Sequence, residues 1–192
     1  MAFQLIAGHP ALDLVNTLDW RFGAQGPEDL LTNYDDLVQF TQQSKLLSLR
    51  PAASRIAGAR ALQRSIELRE ALAEIFYSRL DGRKPSTDAR HRLERYFKEA
   101  RLRQMLNWKQ SPRLGWEWPA HAINAELPLW ALALNASDLM TSEAVHRVRA
   151  CDNPECRWLF LDTTKNHSRR WCDMKLCGNR MKARRFKSRL RS

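Results

Sequence analysis

The stretch CDNPECRWLFLDTTKNHSRRWCDMKLC, residues 151–177, carries the most specific pattern in the sequence. It holds all four cysteines of the 192-residue chain, as two Cys-x4-Cys pairs with residues 157–171 between them. Zinc prefers four ligands in a tetrahedron, and thiolates are among its best ligands. Two disulfides or four free thiols are the alternatives, but chance would not gather all the cysteines into so short a segment. We therefore predict one structural zinc ion with these ligands: Cys151, Cys156, Cys172 and Cys177.

The residues around the cysteines predict a small treble-clef-like finger over residues 146–192. Residues 152–155 form a first knuckle, residues 158–161 a short strand, residues 162–166 a turn that brings the strand back, and residues 179–190 a helix. Four thiolates complete the coordination, so the zinc should be structural, because catalytic zinc keeps an open position. Structural zinc in finger peptides supplies roughly 10–16 kcal/mol. The segment should therefore unfold without metal.

The helix that follows the fourth cysteine is strongly basic. Residues 151–192 hold 12 of the 32 basic residues and four of the 21 acidic ones, so most of the net charge of +11 lies there. Helical spacing predicts an inner stripe of Ala183, Phe186 and Leu190 that packs on the finger, and a cationic stripe exposed to solvent. Such a stripe gains free energy by neutralising phosphates, although a face that only aids solubility is the alternative. The predicted nucleic-acid contacts are Arg180, Lys182, Arg184, Arg185, Lys187, Arg189 and Arg191.

Residues 1–145 are predicted to form a separate, mainly helical domain. Apolar residues recur there at helical spacing, between Pro, Asn, Ser and Gly residues that are typical of helix caps and turns. The predicted helices cover residues 11–18, a short segment capped by Asn33, residues 51–80, residues 86–106 and residues 126–139. An irregular hairpin occupies residues 107–119. The predicted fold class is mainly α: a multihelical N-terminal domain with a small β-hairpin, plus a C-terminal treble-clef-like zinc finger.

The N-terminal domain allows two functional interpretations, a ligand-sensing and dimerising domain or an enzyme. It has no nucleophile elbow, no phosphate-binding glycine loop and no His-x-Glu metal motif, so the sequence does not favour an enzyme. A polar pair on the first helix and several tryptophans form a candidate ligand pocket, because pockets are often lined by aromatic residues. Alternatively, the polar pair caps backbone groups or pairs with Arg21. The tryptophans, for their part, could simply pack in the core. The candidate pocket residues are Asp13, Asn16, Trp20, Trp116, Trp118 and Trp130.

Neither a membrane segment nor a secretion signal is evident in the sequence. No apolar run approaches the roughly 20 residues that a membrane-spanning helix needs. The first eight residues, MAFQLIAG, lack the basic start and the apolar stretch of a secretory signal. We therefore expect a cytoplasmic protein without a membrane partner.

Two parts of the sequence resemble known families. RRWCDMKLCGNR, residues 169–180, is similar to the signature of the CGNR zinc finger, and residues 151–162 match the same module. ALDLVNTL, residues 11–18, together with residues 30–47, is similar to the start of the ABATE domain that precedes this finger. The resemblance implies zinc at the four cysteines and a nucleic-acid role for the finger; proteins of this architecture are described as stress-induced transcription regulators. Asp173 departs from the pattern, since a small polar residue is common at that position.

The residues and the resemblance together predict a cytoplasmic transcription regulator. The finger helix would contact DNA, and the N-terminal domain would sense a small-molecule effector or a partner, with a homodimer as a further expectation. A zinc-dependent module that binds RNA or protein is the alternative. A weaker alternative is an enzyme with its active site in the N-terminal domain.

Overall fold

Side-chain caps mark the beginnings of four of the five N-terminal helices. The computed structural model describes residues 3–108 and 114–189, except the side chains of residues 185 and 189. Within this part, the N-terminal helices are α1 Pro10–Asn16, α2 Tyr34–Gln43, α3 Arg55–Leu80, α4 Thr87–Arg101 and α5 Leu127–Thr141. Asn33 and Asp36 form a capping box at the start of α2, each side chain accepting from the other's backbone N–H. Ser54 and Ser86 cap α3 and α4.

The bounds of these helices agree with the prediction to within about two residues except at two ends. The long helix α3 begins after Ser54 rather than at Pro51, because the Ser54 side chain accepts from the N–H of Ala57 and so fixes the first turn. The next helix, α4, ends at Arg101 rather than near Leu106, because the chain enters a strand by residue 105. The mainly helical fold class is confirmed.

The apolar helix α5 lies at the centre of the N-terminal part. Leu127, Leu129 and Leu132 are fully buried, and Trp130 is nearly so. Pro128 stands in the first turn, where a helix does not need its N–H. All four preceding helices contact α5, as expected for a helix that is apolar on most sides. Among the described residues, no helix is both long enough and apolar enough to cross a membrane.

Short antiparallel hairpins connect the helices. Strand β1 Leu18–Asp19 pairs with β2 Glu28–Asp29, and β3 Met105–Asn107 pairs with β4 Gly115–Glu117. Strand β5 Val148–Ala150 pairs with β6 Leu159–Leu161, and the described chain closes with a π turn, Met174–Gly178, and α6, Asn179–Arg189. The β3–β4 hairpin confirms the small hairpin predicted between α4 and α5.

The partner of strand β6 differs from the prediction. We expected residues 162–166 to turn this strand back, but its partner is β5, which precedes the first cysteine. The backbone N–H of Cys151 donates to the oxygen of Trp158 at 2.9 Å, so the first knuckle is itself the turn of the hairpin. The prediction was wrong because β5 has three residues and too little periodicity to be recognised.

The finger segment packs against the N-terminal helices along strand β6. The side chain of Asn16 donates to the backbone oxygen of Leu159 at 2.9 Å and accepts from its N–H at 2.8 Å. The N–H of Leu161 donates to the oxygen of Ala7 at 2.7 Å. The edge of β6 that faces away from β5 is therefore paired with the N-terminal segment. Buried residues of both parts belong to one hydrophobic core.

Candidate metal centre and basic helix

Four buried cysteine side chains meet in the finger segment. The Sγ atoms of Cys151, Cys156, Cys172 and Cys177 all lie within 4.8 Å of one another, and those of Cys156 and Cys172 are 3.7 Å apart. In a tetrahedral site with Zn–S bonds of about 2.3 Å, the sulfur atoms stand about 3.8 Å apart. None of the four cysteines forms a disulfide. The cluster therefore fits one structural Zn²⁺ ion, as predicted.

The four thiols influence one another because they are so close. Hydrogen bonds from Cys156 and Cys172 stabilise a thiolate at Cys151 and lower its pKa well below the usual range. Bonding to Cys151, together with burial, raises the pKa of Cys156 and that of Cys172. The protein groups alone therefore favour one thiolate rather than four. A bound dication supplies the positive charge that allows the other thiols to ionise.

Asn153 organises the knuckle that holds the first cysteine pair. Its side-chain oxygen accepts from the N–H of Glu155, and its backbone oxygen accepts from the N–H groups of Cys156 and Arg157. Its amide nitrogen donates to the Sγ atom of Cys177 at 3.5 Å. Bonds of this kind fix the orientation of a metal ligand and offset thiolate charge. Sequence reasoning missed this role, although Asn153 stands inside the first Cys-x4-Cys pair.

Asp173 holds the second pair at the start of the π turn. Its carboxylate accepts from the N–H of Leu176 at 2.9 Å, and its backbone oxygen accepts from the N–H groups of Cys177 and Gly178. A Cβ atom on Gly178 would lie 2.4 Å from the sulfur of Met174, so the flexible, exposed side chain of Met174 would have to move aside. Asp173, which departs from the family pattern, is thus the N-cap of the π turn that carries the fourth ligand, Cys177.

Arg169 joins the finger to the N-terminal segment and was also missed. Its guanidinium lies 4.3 Å from the centre of the Phe160 ring. Its backbone N–H donates to the buried carboxylate of Asp162 at 3.1 Å. The guanidinium donates to three backbone oxygens, those of Ile6, Trp171 and Cys172. The Arg169-Arg170 pair before Trp171 is a visible signal in the sequence, but charge alone does not show that Arg169 donates to backbone oxygens.

The predicted nucleic-acid contacts on α6 fall into three groups. The Arg180 guanidinium lies 4.8 Å from the centre of the Trp20 ring, and Arg184 donates to Glu155 at 2.8 Å. Lys182 and Lys187 are exposed. The remaining contacts lie outside the described residues: the side chains of Arg185 and Arg189, and Arg191.

The predicted inner stripe of α6 is wrong for the residues that are described. Phe186 is 65% exposed and Ala183 is exposed as well, while Leu190 lies outside the described residues. Instead, α6 contacts other parts of the chain through Arg180, which lies over the Trp20 ring, and through Arg184, which donates to Glu155. Periodicity shows which face of a helix is apolar, but it does not show that another element stands opposite that face.

Family models match nearly all of this sequence. The ABATE model, whose description reads "Putative stress-induced transcription regulator", matches residues 8–143. The chain belongs to the ABATE family. A second model, the CGNR zinc finger, matches residues 147–190 of this ABATE protein, so the two resemblances and their order are confirmed. A comparison with curated proteins found no match.

The structure distributes the six predicted pocket residues of the ABATE protein over several places. Asp13 and Asn16 are buried and line a space of only about 10 Å³. Trp118 and Trp130 stack with their ring centres 6.4 Å apart. The other two stand apart from these pairs: Trp20 lies beneath Arg180, and Trp116 is exposed on β4.

Asp13 is a buried carboxyl group with an altered pKa. Burial raises the pKa of Asp13 to about 6, although backbone hydrogen bonds from Ala7 and Ile6 act in the opposite direction. Its oxygen accepts from the N–H of Ala7 at 2.9 Å. The carboxyl group therefore fixes the backbone ahead of α1, in the same way that Asn16 fixes β6.

A cavity of about 810 Å³ lies elsewhere, between the beginnings of α2 and α3. Tyr34, Arg50, Arg55 and Leu62 are among its lining residues. The volume is within the range of small-molecule sites, about 300–1,000 Å³. The six predicted pocket residues do not line it. Sequence reasoning missed this cavity because it combines residues from two helices that no short motif connects.

Proposed function

We propose that this ABATE protein is a DNA-binding transcription regulator that acts in the cytoplasm. The observation that supports this proposal most directly is the position of α6. The helix begins two residues after the fourth cysteine, contains no acidic residue, and exposes its described side chains from residue 182 onward. A zinc ion bound to Cys177 would therefore fix the start of a cationic helix at the surface.

The charge of the finger favours an anionic partner. Four thiolates and one Zn²⁺ together carry two negative charges, fewer than the eight net positive charges of residues 151–192. The Arg184–Glu155 pair is at the surface, with side chains 44% and 37% exposed. Exposed pairs of this kind contribute about 0–1 kcal/mol. A DNA phosphate can therefore replace Glu155 as the partner of Arg184 at little cost.

Phosphate neutralisation predicts a measurable salt dependence. If the basic residues of α6 neutralise about five phosphates, the logarithm of the binding constant should fall against the logarithm of salt concentration with a slope of about −4 to −5. We would measure binding of the zinc-loaded full chain to a fluorescent DNA duplex by anisotropy, over a range of salt concentrations. A flat salt dependence contradicts the proposal.

A matched pair of variants tests whether α6 carries the contacts. Lys182→Ala with Lys187→Ala removes two exposed cations of α6, and Lys84→Ala with Lys98→Ala removes two exposed cations of the N-terminal part. The first pair should reduce the magnitude of the salt slope by about two units, and the second should leave it nearly unchanged. Equal losses from both pairs would show that general charge, not α6, binds the duplex. A clear preference for RNA over DNA would favour the alternative RNA-binding function.

For the N-terminal part we propose sensing of a small-molecule effector rather than catalysis. The cavity between α2 and α3 supports this, because α3 extends from the cavity to the finger: Gly58 lines the cavity, and the Tyr77 hydroxyl donates to the backbone oxygen of Arg157 at 3.0 Å. Asp13 and Asn16 hold backbone groups, which leaves them poorly suited to acid–base chemistry.

Native mass spectrometry of the purified chain tests the sensing role. A small molecule that copurifies with the protein, and that Leu62→Trp displaces by filling the cavity, would support it. A ligand retained by Leu62→Trp would place the binding site elsewhere. The same spectra report whether the protein forms the homodimer that is expected from the sequence.

A further inference from the structure

The β3–β4 hairpin presents an apolar face to solvent. Leu106 is paired with Trp116, and side chains directly opposite in an antiparallel pair share a face. The alternation along the strands places Trp108 and Leu114 on this face too. We call these four residues the tryptophan face. Trp108 is 75% exposed and Trp116 is 60% exposed, so most of both indole rings is available to a partner.

Neither indole is needed to attach the hairpin to the helices. The hairpin is attached through Trp118, which follows β4 and stacks on Trp130 of α5. Within the described residues, the indole rings of Trp108 and Trp116 have no ring-stacking or hydrogen-bonding partner. Two large rings that are exposed on one face and unused in packing indicate a binding surface.

The charge around the tryptophan face points to an anionic partner. In the sequence, residues 100–116 contain four basic residues and no acidic one, and two of the four, at 109 and 113, lie outside the described residues. Glu117 is paired with Met105, which places it on the opposite face of the hairpin. Self-association through this face is disfavoured, because a symmetric contact would bring the same cations of two copies together.

We propose that the tryptophan face binds single-stranded nucleic acid by stacking bases on Trp108 and Trp116. Aromatic side chains on a small sheet are a known way to bind unpaired bases, and every base offers a flat ring to an indole. Arg101, the last residue of α4, and Arg103 are exposed ahead of the hairpin. Arg101 pairs with Asp138 at 2.8 Å, but exposed pairs of this kind contribute little to stability, so a phosphate can take the place of Asp138. This site is separate from α6 and does not depend on the proposed duplex contacts there.

A comparison of two oligonucleotides separates stacking from charge attraction. We would measure the affinity of the zinc-loaded full chain for a fluorescent oligothymidine and for an abasic strand of equal length, which has the same phosphates but no bases. Stacking should favour the oligothymidine by about 5- to 150-fold per stacked base. Trp108→Ala with Trp116→Ala should abolish this ratio, whereas Trp108→Phe with Trp116→Phe should retain part of it.

Two control variants complete the experiment. Ile56→Ala removes an exposed apolar side chain from α3 and should leave the ratio unchanged. Lys182→Ala with Lys187→Ala should weaken both strands equally and also leave the ratio unchanged, which distinguishes this site from α6.

Three results would overturn the proposal. The first is equal affinity of the natural protein for both strands, and the second is a ratio that survives replacement of both tryptophans by alanine. The third is tryptophan-dependent binding to phosphatidylglycerol vesicles, or tryptophan-dependent dimerisation, without a preference for bases. That result would assign the face to a membrane or to a second copy.

Discussion

Asn16→Ala should destabilise the protein strongly, because Asn16 satisfies both backbone groups of Leu159. Leu159 is fully buried, and its N–H and carbonyl oxygen both bond to the Asn16 side chain, at 2.8 Å and 2.9 Å. Alanine would leave two buried backbone groups without a partner, at a cost of about 1–3 kcal/mol each. The expected loss is therefore about 2–6 kcal/mol, a large part of the 5–15 kcal/mol that is typical of folded domains.

Urea unfolding with zinc present measures this loss, since the midpoint falls in proportion to stability. Asn16→Asp keeps the side-chain volume but cannot donate to the Leu159 oxygen at neutral pH, so it should be at least as damaging. Asn166→Ala, at an exposed position, is the matched control and should change stability by less than about 0.5 kcal/mol. A loss below about 1 kcal/mol for Asn16→Ala would refute the reasoning, because single unsatisfied groups already cost that much.

Three further predictions concern the metal, a buried acid and the basic helix. Metal analysis should find one zinc per chain, and Cys172→Ser should lose it together with the structure of the finger. Burial raises the pKa of Asp13 to about 6 from 3.8, so stability should fall as pH rises from about 4 to about 6, because the folded state binds more protons than the unfolded state. Asp13→Asn should remove this slope and raise stability at pH 7 by about 2–3 kcal/mol, measured by urea unfolding. Glu155→Gln should free Arg184 and strengthen duplex binding up to about fivefold, measured by anisotropy.

Each of these predictions has an outcome that contradicts it. Retention of zinc by Cys172→Ser would mean that three thiols and another ligand are enough to bind the zinc ion. An unchanged pH slope in Asp13→Asn would assign the slope to another group. Weaker DNA binding by Glu155→Gln would mean that the Arg184–Glu155 pair positions the finger rather than competing with phosphate.

The parts of the fold that were predictable depend on signals within a few residues. Asn33 and Asp36 form a capping box three residues apart, and α5 has an apolar sequence on nearly every side. The spacing of the cysteines likewise predicts a four-thiol site before any contact is known. The cap and the apolar helix are recognised from neighbouring residues, and the four-thiol site from spacing within residues 151–177, so none of these signals requires a contact between the two ends of the chain.

The parts that were not predictable depend on contacts between distant residues. Nothing near Asn16 shows that it binds the backbone of a residue 143 positions away. The apolar spacing of Ala183 and Phe186 suggests a buried face, but no element covers them in the described part of the chain. The Arg180–Trp20 contact joins the basic helix to the N-terminal segment, and no periodicity in either stretch indicates it.

The pairing of Ala7 and Asn16 with strand β6 limits how this protein can be divided. A graft of residues 147–190 onto a foreign carrier would include all four cysteines but would leave the outer edge of β6 uncovered. Bare strand edges are templates for pairing with other chains, so such a graft should aggregate even when loaded with zinc. A chimaera that also carries residues 3–16 would bring the natural cover of this edge with it.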